Sequence, residues 1–341
     1  MIRRRQLTHA GLLLPFVAGT ALSALDARAF SESLSQSSLQ HSPQSTRQKP
    51  RRKILLDTDI GSDIDDAVAL AYLLRQPRCD LLGVTTVTGD AEGRAQLVAA
   101  LCKTAGVDVP IFPGQDTPLF VESMQTKAPQ TRRLKSRQAE FPRDSAIGFL
   151  RDSIRKNPHE VTLLAVGPLT NIAKLFALDP EIPALLAELV VMGGKYSDYP
   201  TPWGPTEWNI IVDPHAARQV LSAAVPQITA TGLDITWQVS MSPAQVAERF
   251  KDDPLLETVL DWSSVWFDER ELLHFHDPLT AATLFNPDLC QFEVGDIRVD
   301  LESEPTPGVT SFVRNSKSNT RVATSVDPEA FFKEYFGMFQ T

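Results

Sequence analysis

Short apolar runs alternate with helical stretches along most of this 341-residue chain, and that alternation restricts the fold more than any other feature. Lys53–Asp57, Leu81–Val87, Glu160–Val166, Leu189–Met192 and Gln227–Thr231 are β-rich and nearly continuous in apolar residues, the pattern of strands buried on both faces. Helical stretches lie between them at Ala67–Leu74, Gln96–Ala105, Leu169–Ala177 and Pro214–Ala223, with Asp63 as the expected N-cap of the first. Repetition of this kind predicts an α/β fold: an open, mainly parallel, Rossmann-like sheet with helices on both faces. Ligands of such sheets bind beyond the carboxyl ends of the strands. Residues 115–145 are polar, basic and weakly periodic, and read as a long surface loop or flap. No internal repeat is evident.

Charge divides the chain unevenly. Residues 1–53 carry +7 against −9 for the whole, which leaves −16 on residues 54–341. A body that acidic repels phosphate backbones, so nucleic acid is not an expected partner. Cys79, Cys102 and Cys290 cannot all pair and lack metal-ligand spacing, which argues against a disulfide scaffold or a cysteine zinc site. The first 29 residues combine Arg3, Arg4 and Arg5 with an apolar stretch from Ala10 to Leu25, then Ala27-Arg28-Ala29. This is the layout of a secretory signal peptide whose apolar run is too short to span a bilayer. Arg4-Arg5-Gln6-Leu7 resembles a twin-arginine signal. Export to the periplasm or the exterior is therefore expected, with no stable membrane anchor after cleavage. Residues 30–52, rich in Ser, Gln, Pro and Arg, should form a disordered linker ahead of a catalytic domain over 53–341.

Asp57-Thr-Asp59-Ile-Gly61-Ser-Asp63-Ile-Asp65-Asp66 sets five carboxylates within ten residues, directly after the first strand. So much negative charge at one strand end is costly unless a cation neutralises it. Hard oxygen donors at this density suit Ca²⁺ or Mg²⁺ rather than zinc or copper. A helix dipole would account for Asp63 and Asp65 but not for Asp57 and Asp59.

This segment resembles the N-terminal signature of the inosine–uridine-preferring nucleoside hydrolase family. Further matches follow in the family's order: Val84–Asp90, Ala165–Ala173, Val190–Gly194, Glu207–Pro214 and His276-Asp277-Pro278. The resemblance implies hydrolysis of an N-glycosidic bond of a small nucleoside-like substrate, the nucleoside hydrolase fold, and a homodimer or homotetramer. It implies Ca²⁺ held by Asp59, Asp66, Asp277 and the Val166 carbonyl, with Asp59 also taking the proton of the attacking water. Asp65, Asp90, Glu207 and Asn209 would contact the ribose, and His276 would protonate the departing base. The oxocarbenium character of the breaking sugar suits a carboxylate-rich pocket.

The chain departs from the family pattern in its base-recognition half. Asp63-Ile64 is an insertion, which opens Asp63 as an alternative to Asp65 for the sugar contact. Asp90 stands where Asn is common, a His-Gly flap motif is missing from 115–145, and Lys195 with Tyr199–Pro205 replaces an Asn-containing loop. Trp262 and Trp266 share a helical face and could stack on a base, although that spacing more often marks core. Asn171 reads as a helix cap. Two other functions fit parts of the pattern. One is a haloacid-dehalogenase-like phosphatase with Asp57 as nucleophile; the other is an exported nucleoside- or sugar-binding protein without turnover.

Overall fold

A computed structural model describes residues 50–142, 145–302 and 307–340. The signal peptide and nearly all of the linker expected from the sequence lie outside the described residues. Six strands form the parallel heart of one sheet: β1 (Arg52–Thr58), β2 (Cys79–Thr86), β3 (Ile111–Pro113), β4 (Val161–Ala165), β5 (Glu188–Met192) and β6 (Ile228–Thr231). After a two-stranded pair, β7 (Ser240–Met241) and β8 (Leu273–His274), the chain adds β9 (Cys290–Asp300), β10 (Val309–Arg314) and β11 (Thr320–Val326). The order across the large sheet is β10-β9-β11-β6-β5-β4-β1-β2-β3. β11 joins β6 in parallel, whereas β9 and β10 run antiparallel to their neighbours. This antiparallel edge was not expected, because it breaks the βα alternation on which the sequence reading rested.

The central strands are buried on both sides and alternate between two cores. Ile54 and Leu56 of β1 face one, with Leu164, Val190 and Met192. Leu55 faces the other, with Leu163, Ala165, Leu189 and Val191. That period of two is the physical reason the strand runs read as continuously apolar. The chain runs outward from β1 through β2 to β3, then returns to β4 on the opposite side of β1. A crevice therefore opens above the carboxyl ends of β1 and β4, where connections leave in opposite directions.

Several boundaries differ from expectation. The fold begins before Lys53: Arg52 opens β1, and its guanidinium reaches the Leu284 carbonyl at 2.6 Å and Glu188 at 2.8 Å. Long-range partners, invisible in composition, pull this end of the linker into the sheet. The second helix starts at Ala91 rather than Gln96, capped by Asp90, which accepts from the Gly93 N–H at 2.9 Å. The first helix is Asp65–Arg75 with Ile64, not Asp63, at the N-cap position, so no side chain caps it. Residues 115–142 form a surface loop as expected, mostly exposed apart from Ala128 and Gln130. They contain a short 3₁₀ turn, Pro129–Arg133, with Gln130 fully buried. Trp262 is core, as its spacing favoured. No helix among the described residues is long and apolar enough to cross a membrane.

The C-terminal helix Pro328–Gly337 locks the face that carries the first helix. Tyr335 is fully buried, stacks on Tyr72 at 5.7 Å and donates its hydroxyl to the Val68 carbonyl at 3.0 Å. Tyr335→Ala should lower stability by about 3–5 kcal/mol, the range of large aromatic truncations. The check is urea unfolding: the midpoint should fall while the slope stays constant.

Candidate active site

The acidic segment descends from the end of β1 into the crevice. Asp57 pairs in register with Thr85 of β2 and Ala165 of β4. Its Oδ1 accepts from the Thr85 hydroxyl and, at 2.7 Å, from the Asn171 side chain. Asp57 has no exposed surface, and burial raises its pKa to about 7. A carboxylate enclosed in this way cannot attack a substrate phosphorus, which removes the phosphatase reading. Asn171 is likewise no cap. Its amide also donates to the Thr86 carbonyl at 3.0 Å, and its oxygen accepts from the Gln115 N–H at 2.9 Å. It ties β1, β2 and the loop after β3 together.

Beyond β1 the backbone turns at Gly61, with φ +115°. A Cβ there would fall 2.6 Å from Leu97 Cδ1, so glycine is required on both conformational and steric grounds. Two clamps hold this turn. Arg94, wholly buried, donates to the carbonyls of Asp59, Ile60 and Thr88. Gln130 gives its backbone N–H to the Gly61 carbonyl at 3.0 Å, and its side chain bonds the Asp63 carbonyl at 3.0 Å. Asp59 itself lies against β4's exit, where a Cβ on Gly167 would come 2.9 Å from its Oδ1.

Asp65, Asp66 and Asp277 are all buried and present carboxylate oxygens within 4.8 Å of one another. Thr58 donates to Asp66, and the Asp277 N–H donates to Asp65 Oδ2 at 3.0 Å. Of the ligands expected from the family resemblance, Asp66 and Asp277 fall in this group. Asp59 does not, although its charge is felt there. Asp65, expected on the sugar, takes its place. Burial, together with like-charged neighbours, pushes Asp65, Asp66 and Asp277 well above the usual carboxylate range. Desolvation also raises Asp59. Two observations make this a fitting place for a hard divalent cation: a convergent all-oxygen donor set, and buried oxygen atoms without partners (Asp57 Oδ2, Ser62 Oγ and Gln130 Oε1) around the same turn.

Glu207 and Asn209 form the far wall, with structural duties the sequence did not reveal. Glu207 caps the helix Trp208–Val212, accepting from the N–H groups of Asn209, Ile210 and Gly194. Burial nevertheless raises it to about 7. The Asn209 amide donates to the Val166 carbonyl at 2.8 Å and the Met192 carbonyl at 3.2 Å. The carbonyl expected to ligate metal is thus already oriented by Asn209. Asp90 stands apart: it is exposed and occupied as a helix cap.

His276 opens the helix His276–Thr283 beside Asp277. Burial, with His274 nearby, lowers its pKa to about 3. The resemblance implies that His276 protonates the departing base; burial instead disfavours its charged form, so the ring acts through an N–H. Around it, Trp237 stacks on His274 at 3.7 Å, and the half-exposed Trp203 meets Trp237 edge-on at 5.2 Å. Trp203 lies in the Tyr199–Pro205 run noted above, but no motif pointed to Trp237, to Arg94 or to Gln130. Their partners are backbone carbonyls and rings distant in sequence.

A family model described as inosine-uridine preferring nucleoside hydrolase matches residues 54–333. The pyrimidine-specific ribonucleoside hydrolase RihB of Escherichia coli strain SE11 is 30% identical over 309 residues, which cover 83% of this chain and 95% of that protein. RihB of Escherichia fergusonii is also 30% identical, over 305 residues with the same coverage. Among solved structures, a purine-preferring ribonucleoside hydrolase from Gardnerella vaginalis superposes with a TM-score of 0.72 at 25% identity, over 84% of this chain and 98% of that one. The plant nucleoside hydrolase PpNRh1 shares the fold with a TM-score of 0.75 at 24% identity, over 85% and 99%. With its acidic turn, far wall and His-Asp pair gathered at the same sheet crevice, the chain belongs to the inosine–uridine-preferring nucleoside hydrolase family, hydrolases acting on N-glycosyl compounds.

Proposed function

We propose that this enzyme cleaves the N-glycosidic bond of a ribonucleoside in the crevice above β1 and β4, using Ca²⁺. The observation that carries the reading is the convergence of Asp65 and Asp66 with Asp277, about 210 positions later, into one buried oxygen cluster. Asp66, Asp277 and the Val166 carbonyl would hold the cation, joined by Asp59 or Asp65. When bound, it supplies the positive charge that lets these carboxylates ionise together and that polarises water and ribose hydroxyls.

Asp59 accepts the proton of the attacking water; its buried position favours proton uptake once it is ionised. Asp65 and Glu207 flank the sugar and stabilise the positive charge that develops as the bond to the base weakens. His276 donates a hydrogen bond to the departing base. A nucleoside panel of uridine, cytidine, inosine and adenosine, assayed for free ribose, should reveal at least one substrate. Asp59→Ala should lower that rate by about 10²- to 10⁴-fold, the usual contribution of a general base. Release of ribose from none of the four would overturn the reading.

Calcium binding should depend on pH with a definite sign. The cluster carboxyls sit above their ordinary value of 3.8, and the neighbouring Asp57 and Glu207 reach about 7. Their protons stabilise the metal-free fold below pH ~4, and that stabilisation is lost as pH rises through about 7. A cation needs the ionised form. The gain in melting temperature on adding calcium should therefore be small at pH 5 and large at pH 8. Equal gains at both would argue against a carboxylate site.

The N-terminal segment fits export through a twin-arginine-type route, with cleavage after Ala29. N-terminal sequencing of the exported protein should begin at Phe30. Replacing Arg4 and Arg5 with Lys should hold the precursor inside the cell, and unimpeded export of that variant would point to the general secretory route.

A further inference from the structure

Thr236 ends the short helix Leu233–Thr236, just beyond β6, and its side chain is fully buried. Its Oγ1 lies 2.7 Å from Nδ1 of His276. Among the described residues, this hydroxyl has no other hydrogen-bond partner, and neither does the His276 ring. The pairing fixes more than distance. A hydroxyl has one proton to give and lone pairs to accept with, while a ring nitrogen donates when it bears a proton and accepts when it does not. If Nδ1 carried it, the hydroxyl would accept, and its own buried proton would meet no acceptor. With the hydroxyl donating, Nδ1 accepts and the ring proton resides on Nε2, the nitrogen left without a protein partner. Ring rotation is restrained as well: His276 lies nearly parallel to His274, 16° apart with centroids 5.4 Å apart, and the His274 Nδ1 is fixed 3.1 Å from the Trp237 carbonyl.

We propose that Thr236 is a positioning residue that holds His276 as the Nε2–H tautomer, presenting that N–H to the leaving base. The tautomer stands on the geometry alone; the identity of the acceptor rests on the nucleoside hydrolase reading. As the bond from the sugar to the base breaks, its electron pair stays with the base. The base leaves as an anion held by the Nε2–H hydrogen bond, then takes its proton from solvent. The attacking water passes its own proton to Asp59, so charge and protons balance.

The test compares Thr236→Val, Thr236→Ser and the wild type in two measurements. On the best nucleoside, Thr236→Val should lower kcat by about 10- to 100-fold, the range of a lost supporting hydrogen bond, with KM little changed. On p-nitrophenyl riboside, whose leaving group needs no such help, most of the rate should remain. Thr236→Ser, which restores a hydroxyl, should recover the nucleoside rate. Equal losses on both substrates, or an unchanged nucleoside kcat in folded Thr236→Val, would overturn the proposal. Long-range ¹⁵N–¹H spectra of histidine-labelled protein, with the His276 signals assigned through His276→Gln, give a second readout. They should show Nε2–H in the wild type and a mixed or reversed population in Thr236→Val. An Nδ1–H ring in the wild type also overturns the proposal. Should the wild type release ribose from no nucleoside, the functional reading falls, and the spectra alone decide for or against the tautomer.

Discussion

Repulsion between buried carboxylates is the constraint around which this molecule is arranged. Asp57, Asp59, Asp65, Asp66, Asp277 and Glu207 are each at most 6% exposed and share one crevice. At the 4.8 Å limit of the inner group, each ionised pair would repel by about 3–4 kcal/mol at an effective dielectric of about 20. A typical domain's whole stability is only about 5–15 kcal/mol, so the cluster cannot ionise together without compensation. Arg94 supplies one fixed positive charge from within the fold, felt by both Asp59 and Asp66. The rest must come from retained protons or from a cation, and the choice between them is the chemical switch of the site.

The fold serves this arrangement by bringing distant segments to one place. β1 and the turn after it deliver Asp57 and Asp59, the helix Asp65–Arg75 delivers Asp65 and Asp66, and the helix His276–Thr283 delivers Asp277. The Asp277 N–H bond to Asp65 joins the last two directly. Because β1 and β4 feed connections on opposite sides, the topology leaves a crevice above their carboxyl ends. The far wall from Glu207 to Asn209 then orients the Val166 carbonyl from across that crevice.

The legible part of the sequence was the part with a local signature. Apolar runs revealed the parallel strands because these face core on both sides. The acidic segment and the His276-Asp277 pair stood out because carboxylates at that density need a physical reason. What could not be read depended on partners far along the chain. Asn171 looks like a cap but spans three elements, and Thr236 is an ordinary residue until its hydroxyl meets Nδ1 of His276. The state of His276 was equally hidden, since burial and not residue type sets it. Nor could composition show that Arg52 belongs to the sheet, because a linker arginine and a strand arginine differ only in what they touch.

The bracing of the acidic turn also bears on how such an enzyme can change. Residues 59–64 are held by Arg94 and Gln130, and among the described residues no hydrogen bond joins them to residues 195–206. That second segment, with the half-exposed Trp203, hangs instead on Thr310, Asp234 and its own neighbours. No direct hydrogen bond among the described residues therefore ties one rim of the crevice to the other. Length and sequence can drift on the aromatic rim, as loops on a rigid scaffold do, while the carboxylates keep their places. Change on that rim leaves the problem of burying six acids together untouched, because the hydrogen bonds that brace the acidic turn come from Arg94 and Gln130.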